Sequence, residues 1–300
     1  MDNEYSKTIT DQTLREVVNH GSEEYPFQYY YEDIWDFDLH CIDWHWHPEV
    51  EFVFVEKGTA IIFIGSEIYT LHAGSGIFIN TRVIHRFEAK ESTIIPNIVF
   101  LPTLLAAHDS LIFRKYIKPV LDSSVECIIL SSENKIQKEI IDVLVSVFSI
   151  QNSKKNSEII TVELIIRLWR IMFDNICLTD KENISEKSIQ IRGRLQIMMH
   201  YIQRNYRYRI TLDDIAQTVS MSKSSVLNIF KEYLHTSPVS YLINYRLRQA
   251  TRLLSNTEDS IASIANETGF EDAGYFCRKF KNLFGMTPNE YRKKGQFLSE

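Results

Sequence analysis

One pattern occurs twice in the last third of the chain, and it restricts the fold more than any other feature. The segment from Ile215-Ala216 to Met221 reappears 49 residues later, from Ile264-Ala265 to Phe270. Beyond the turn the spacing becomes 50 residues. A small Ala in a first helix lets a second helix cross it closely, and Gly269 supplies a permissive backbone at the turn. The repeat therefore predicts two helix-turn-helix copies, at about residues 210–232 and 260–282.

The second helix of each copy has an apolar face (Val226, Ile229 and Phe230; Phe276 and Phe280) and polar residues at its start. Such a helix can lie in the major groove, where Asn pairs with adenine and Arg with guanine. The predicted partner is double-stranded promoter or operator DNA. The side chains expected to contact it are Lys223, Ser224, Ser225 and Asn228 in the first copy, and Asp272, Ala273, Gly274, Tyr275, Arg278, Lys279 and Lys281 in the second.

The charge distribution agrees with this interpretation. The whole chain has a formal net charge of −6, but residues 188–300 hold 16 Lys and Arg against 10 Asp and Glu. Residues 1–187 hold the remaining 17 and 29. Because phosphate neutralisation supplies most non-specific DNA affinity, a basic C-terminal third suits a DNA-binding domain.

The C-terminal motifs resemble the DNA-binding domain of the AraC/XylS family of transcription regulators over about residues 192–295. The resemblance is clearest from Tyr275 to Lys281 and in Gly285-Met286-Thr287-Pro288 through Arg292. The chain departs from the family at Asn228, where Arg is usual, and at His235, where Gly is frequent. The resemblance implies an all-α domain with two helix-turn-helix motifs.

The first 125 residues have a different pattern, that of a β domain. Short segments rich in aromatic and β-branched residues, such as 51–55, 60–64 and 76–79, are separated by Gly58, Gly65 and Gly74. Regular short strands predict a barrel or jelly roll. The spacing of His45, His47, Glu51 and the following Gly58 resembles the first cupin motif, and Gly74 to His85 resembles a degenerate second one.

The cupin resemblance maps three His and one Glu metal ligands onto His45, His47, His85 and Glu51. Alternate residues of a strand share a face, so the first two histidines and Glu51 can point into the barrel. This set suits zinc, nickel, manganese or iron. It equally suits a metal-free polar pocket, so no cofactor is assigned beyond this candidate divalent metal. The predicted effector-binding residues are these four together with Trp44 and Trp35, whose rings could stack on a sugar-like ligand.

Two amphipathic segments, 134–150 and 157–177, lie between the two domains. Their apolar faces are expected to be buried, and packing against the barrel can bury them. The family resemblance implies that a helix here pairs with its copy, so we expect a homodimer. The polar run that follows predicts a linker.

Composition sets the outer limits. A chain of 300 residues with 44% hydrophobic content can bury several cores, and it has no 18-residue apolar run for a membrane span. The polar N-terminus is unlike a signal peptide, so we expect a cytoplasmic protein. Its four cysteines, scattered without a metal-binding spacing, are expected to be reduced thiols (Cys41, Cys127, Cys177 and Cys277).

The predicted fold is an α+β multidomain chain with a cupin-like effector-binding β-barrel at 20–125, a central helical dimerisation and packing segment at 132–178, a linker at 179–190, and the AraC-type domain at 191–297. The predicted function is sequence-specific transcription regulation controlled by a small-molecule effector, without enzymatic activity. The alternative is a metal-dependent cupin enzyme fused to a DNA-binding domain. The sequence leaves open the effector, the operator and whether the regulator activates or represses.

Overall fold

A computed structural model of the chain describes residues 8, 10–11, 14–153, 157–177 and 186–296. Two compact units divide between Lys187 and Ser188, so that Arg15–Lys187 belong to the first and Ser188–Glu300 to the second. No helix in the described ranges has both the length and the apolar character that crossing a membrane requires.

The first unit is a barrel of two antiparallel sheets. Its strands are β1 (Phe27–Asp33), β2 (Cys41–His45), β3 (Val50–Phe54), β4 (Thr59–Ile64), β5 (Glu67–His72), β6 (Gly76–Ile79), β7 (His85–Ala89), β8 (Ile94–Phe100) and β9 (Cys127–Leu130). The larger sheet has the strand order β1-β8-β3-β6-β9, and the smaller has the order β2-β7-β4-β5. The predicted strands at 51–55, 60–64 and 76–79 are confirmed as β3, β4 and β6.

Alternation along the strands divides the barrel into an apolar interior and a helix-covered outer face. On β3, Val53 joins the core between the sheets with Ile62, Ile77 and Phe87. The next residue back, Phe52, faces the other way and packs in the core formed with the helices. One half of the interior is therefore a hydrophobic cluster that fixes how the two sheets meet.

Helices cover the outer face of the larger sheet, and a short helix α1 (Lys118–Leu121) precedes β9. α2 (Lys135–Asn152) begins where the Asn134 side chain accepts hydrogen bonds from two backbone N–H groups, and α3 (Ser157–Met172) follows it. The ring of Trp169 on α3 packs edge to face against the ring of Phe78 on β6. The two central helices expected from the sequence are present, and the barrel covers only part of their apolar surface, since Ile159 remains 79% exposed.

The second unit contains seven helices in its described residues. They are α4 (Glu186–Asn205), α5 (Leu212–Thr218), α6 (Lys223–Leu234), α7 (Pro238–Asn256), α8 (Ile261–Glu267), α9 (Ala273–Phe284) and α10 (Pro288–Gln296). α4 begins at Glu186, so the end of the predicted linker is helical, and residues 179–185 of that prediction lie outside the described residues.

The internal repeat reappears in the helix caps. Side chains of Thr211 and Ser260 cap α5 and α8, and those of Ser222 and Asp272 cap α6 and α9. Because each cap accepts a hydrogen bond from the first turn, both copies begin their helices at equivalent positions.

The turn of the second copy requires glycine. Gly269 has a φ of +87°, and a Cβ atom there would lie 2.5 Å from the backbone oxygen of Tyr206. Buried Ala216 and Ala265 lie at the centres of the first helices of the two motifs, as the repeat predicts.

Candidate metal centre and nucleic-acid interface

The barrel brings three histidines and one glutamate together in its buried interior. His45 ends β2, Glu51 lies in β3 and His85 begins β7, while His47 follows β2 in the loop toward β3. One potential ligand atom from each of the four lies within 4.8 Å of all the others, and all four residues are buried. β2 pairs with β7 so that His45 lies opposite His85. Strand register, rather than proximity along the chain, therefore assembles the cluster.

Backbone carbonyl groups orient two of the imidazoles. The Nδ1 of His45 donates to the carbonyl oxygen of Asp43 at 2.7 Å, and the Nδ1 of His85 donates to that of Val83 at 2.9 Å. A neutral imidazole with its proton on Nδ1 has a lone pair on Nε2. Both rings thus present an acceptor nitrogen, the orientation that outer hydrogen bonds give to metal-binding histidines.

The charges of the cluster also suit a cation. The pKa of His45 lies well below its ordinary value because the ring is buried and lies beside His85. The pKa of Glu51 is lowered despite its burial, because the imidazoles of His47 and His85 are close. The Nε2 of His85 lies 3.1 Å from Oε2 of Glu51, yet neither atom has a hydrogen-bond partner among the residues that the structure describes. Buried acceptor atoms that converge without donors fit a divalent metal ion.

A second set of polar residues lies beside this cluster, and no sequence motif marks it. His20 lies 3.1 Å from the carboxylate of Glu16 and 2.9 Å from the hydroxyl of Tyr30, and its ring is 5.4 Å from that of His47. Burial opposes protonation of His20, but the hydrogen bond and charge of Glu16 raise its pKa. Glu16 reaches this position because its backbone N–H donates to Trp46.

Strands β1 and β8 add a further polar pair. Asn97 donates to the carboxylate of Glu32 at 3.1 Å. Asn97 lies opposite Val53 of the barrel core, so it shares the inward face. Period-two alternation along β1 predicts that Tyr30 and Glu32 share one face. No sequence motif predicts their hydrogen-bond partners, His20 and Asn97.

The two tryptophans predicted to contact the effector have ring contacts of their own. The ring of Trp44 packs edge to face against Phe63, because adjacent residues of a strand point to opposite sides and Trp44 precedes the inward His45. The ring of Trp35 stacks on His40 at the surface. Within the described part of the chain, neither ring joins the ring contacts that link His20, His45, His47 and His85.

In the second unit, the two candidate reading helices carry matched outward stripes. The exposed residues Ser224, Asn228 and Lys231 of α6 correspond to Gly274, Arg278 and Lys281 of α9 at the 50-residue offset. Each stripe follows the spacing i, i+4, i+7, so its members share one helix face. The apolar faces opposite are buried, with Val226 and Phe230 in one copy and Phe276 and Phe280 in the other.

Several predicted contact residues have local roles. Lys223 lies 2.7 Å from a carboxylate oxygen of Asp213, and the hydroxyls of Ser224 and Ser225 lie 2.9 Å from that of Ser222. Asp272 caps α9 by accepting from the N–H of Tyr275. The Lys279 ammonium lies over the Tyr275 ring at 5.5 Å, and Ala273 is half-buried.

Two exposed residues of α6 were missed by the sequence analysis. Lys231 is the equivalent of Lys281, and the 50-residue offset could have identified it. Leu227 is apolar, whereas the side chains of α6 expected to contact DNA were all polar.

Family models match both parts of the chain. A helix-turn-helix domain matches residues 215–294, and a cupin domain matches residues 41–95. The uncharacterised transcriptional regulator YdeC of Bacillus subtilis is 27% identical over 290 residues, which cover 95% of this chain and 98% of YdeC. The transcriptional activator RhaR of Mannheimia succiniciproducens is 26% identical, with 83% and 87% covered.

Further similarities cover parts of the chain or are more distant. The raffinose operon regulatory protein RafR of Pediococcus pentosaceus is 33% identical over 140 residues, 46% of this chain and 50% of RafR. A solved AraC-type regulator from Chromobacterium violaceum is 32% identical, covers 35% of this chain and 93% of its own, and has a TM-score of 0.34. ToxT of Vibrio cholerae is 13% identical, with 92% and 99% covered and a TM-score of 0.41.

Proposed function

Because the chain belongs to the AraC/XylS family of DNA-binding transcription regulators, we propose that a small molecule bound in its barrel controls how it binds promoter or operator DNA. The observation that carries this proposal is the buried cluster of His45, His47, Glu51 and His85. Buried polar atoms without partners are costly, so an interior that retains them favours a ligand.

The DNA is bound by both reading helices, which enter successive major grooves on one face of the duplex. The helix α7 that connects the two motifs runs from Pro238 to Asn256. At about 1.5 Å per residue it is roughly 28 Å long, close to the ~34 Å between adjacent grooves on one face. Footprinting tests this arrangement, since protection of a single groove per monomer would contradict it.

The ligand in the barrel is a sugar-like molecule. Carboxylates, imidazoles, the Tyr30 hydroxyl and the Asn97 amide offer the donors and acceptors that a polyol requires. A relative, RafR, is named for a raffinose operon. To regulate, the ligand must bind one arrangement of the two domains more tightly than another, because equal affinity shifts no equilibrium.

A divalent metal would be held by the Nε2 atoms of His45 and His85, by His47 and by the Glu51 carboxylate. A bound metal would supply Lewis-acid coordination of a ligand oxygen. The carbonyl oxygens of Asp43 and Val83 keep two of the rings in the ligating tautomer.

The same four residues also support the alternative function, a cupin enzyme fused to a DNA-binding domain. Relatives such as YdeC and RhaR are named as transcriptional regulators, which favours the ligand sensor. Substrate turnover by the purified metal-loaded protein would favour the enzyme.

Two copies of the chain pair through α3. Its exposed residues Ile159 and Ile166, with the half-exposed Val162 between them, form an apolar stripe at the spacing i, i+3, i+7. Glu158 and Glu163 lie toward the start of the helix, and Arg167 and Arg170 lie toward its end. An antiparallel pair would place acidic residues of one copy beside basic residues of the other.

Sedimentation of Ile159→Glu tests the dimer. We expect this variant to be monomeric, because each introduced carboxylate would be buried against the apolar stripe of the other copy. Ile68→Glu is a matched control, since Ile68 is 51% exposed on β5. Dimers that persist in Ile159→Glu would show that α3 is not the interface.

One experiment tests the regulatory proposal as a whole. Random DNA fragments retained by the full-length protein are sequenced with and without a panel of sugars and related polyols. We expect one enriched sequence whose retention changes with a member of the panel. Enrichment that no member alters would contradict control by such a ligand.

A further inference from the structure

The outward face of α6 combines an amide with an apolar side chain. Asn228 is exposed, and its neighbour Leu227 is 41% exposed. Together with Ser224 and Lys231 they form a contiguous patch at the spacing i, i+3, i+4, i+7. The equivalents of Leu227 and Asn228 in α9 are the half-buried Cys277 and the exposed Arg278. The two reading helices therefore present different chemistry at matched positions.

Local contacts occupy the other polar residues at the start of α6. Lys223 is paired with Asp213, and the hydroxyls of Ser224 and Ser225 lie next to the capping Ser222. Leu227 and Asn228 are exposed nearer the middle of the helix. One side chain is apolar and the other is an amide, so they can contact different chemical groups on the base edges.

The chemistry of the major groove limits what these two side chains can select. Asn forms two hydrogen bonds with the N6 and N7 atoms of adenine. The edges of the base pairs are otherwise donors and acceptors, and their one apolar group is the C5 methyl of thymine. A leucine side chain placed against donors or acceptors would leave them desolvated and without partners, which is unfavourable. Leucine therefore matches thymine.

We propose that the first helix-turn-helix copy selects an A·T half-site, in which Asn228 contacts an adenine and Leu227 contacts the methyl group of a thymine at a neighbouring base pair. The second copy, with Arg278 at the matched position, selects a guanine-containing half-site. This inference rests on the proposed docking of both reading helices in successive grooves. It adds the base composition of each half-site and the order of the two half-sites.

The test uses DNA selected from a random pool by the full-length protein. In the half-site protected by α6, each thymine is replaced singly by deoxyuridine, which removes only the methyl group. At one position we expect the dissociation constant to rise about fourfold, the factor for losing one buried methyl group. In Leu227→Ala, the same replacement should have no effect, because the partner of the methyl group is absent.

Two further variants separate the reading of bases from general damage. Val239→Ala shortens another exposed apolar residue, 56% exposed at the start of α7, and should retain the full deoxyuridine effect. Asn228→Arg should change the preferred base at one position from adenine to guanine.

Two results would overturn the inference while leaving the docking intact. One is protection of both grooves with a first half-site that lacks thymine. The other is a deoxyuridine penalty that persists unchanged in Leu227→Ala. Protection of only one groove would instead contradict the docking proposal itself.

Discussion

Two residues of the first helix-turn-helix copy have a left-handed backbone where the second copy has glycine. Ser220 has a φ of 52° and His235 a φ of 50°, and their equivalents are Gly269 and Gly285. Left-handed backbone costs a residue with a Cβ atom about 1–2 kcal/mol, whereas glycine adopts it freely. The first copy therefore tolerates local strain that the second avoids.

Ser220→Gly should stabilise the protein. We expect the free energy of unfolding to rise by about 0.5–1 kcal/mol, because relief of the strained φ exceeds the greater flexibility of glycine in the unfolded chain. Denaturant unfolding measures the change. Ser255→Gly is the matched control, since exposed Ser255 lies within α7 and the same substitution in a helix destabilises. Equal effects of the two variants would show that the φ of Ser220 is not strained.

Glu32 should make the stability of the barrel depend on pH. Burial raises its pKa to about 7, although Asn97 donates a hydrogen bond to it. Since the pKa is raised on folding, the contribution of Glu32 is fully present below the unfolded value of about 4.3 and is lost as pH rises through 7. Glu32→Gln should therefore increase stability at pH 8 by about 1–3 kcal/mol and change little at pH 4.

Urea unfolding of the chelator-treated protein at the two pH values measures this difference. Glu67→Gln, at an exposed position of β5, is the control and should show no such dependence. A Glu32→Gln stability difference that is the same at pH 4 and pH 8 would contradict a raised pKa at Glu32.

The candidate metal centre was predictable from the sequence, but its surroundings were not. His45, His47, Glu51 and His85 follow a spacing along the chain, so a motif reveals them. Glu16 and His20 lie beside this cluster because the backbone N–H of Glu16 donates to the carbonyl oxygen of Trp46, and Asn97 faces inward because of its strand register. Such placements depend on pairing between distant segments, which no local pattern encodes. Period-two alternation along β2 places Trp44 on the face opposite His45.

At the scale of elements, the repeat predicted the C-terminal helices closely because their signals are local. Caps, a small residue at the helix crossing and a glycine at the turn all lie within a few residues of one another. The helix α7 that connects the two motifs begins at Pro238 because Ser237 caps it and Pro suits a first helical turn. The linker was less predictable, since a polar run also suits the first turn of a helix such as α4.

Arg278 and Lys281 lie on one stripe of α9 but should have different roles. Arg278→Ala should cost about 1–3 kcal/mol at the preferred site and relax the base preference, since Arg pairs bidentately with guanine. Lys281→Ala should weaken binding to all sequences alike, because it removes a contact to phosphate. The slope of log affinity against log salt concentration should become smaller by about one. Selection experiments and salt titrations with each variant separate the two. An unchanged preference in Arg278→Ala would remove that residue from base recognition.

At the scale of the whole molecule, the candidate metal centre and the helix-turn-helix motifs belong to separate units of opposite charge. The acidic N-terminal part contains the buried cluster, and the basic C-terminal part contains both reading helices. A ligand in the barrel can alter DNA binding only if it favours one arrangement of the two units. Loss of the cluster should therefore remove the response to ligand without removing DNA binding.

The double variant His47→Ala, Glu51→Ala makes this separation measurable. We expect it to bind operator DNA with the ligand-free affinity of the unaltered protein, to lose the change in affinity on adding effector, and to lose any bound metal in parallel. Elemental analysis of the unaltered protein decides between a metal centre and a metal-free polar pocket. The matched control is Glu67→Ala, His72→Ala, which removes the same residue types from exposed positions of β5 and should keep the effector response. A full response in the His47 and Glu51 variant would mean that the effector binds elsewhere, because this variant lacks two of the four side chains that converge in the proposed pocket.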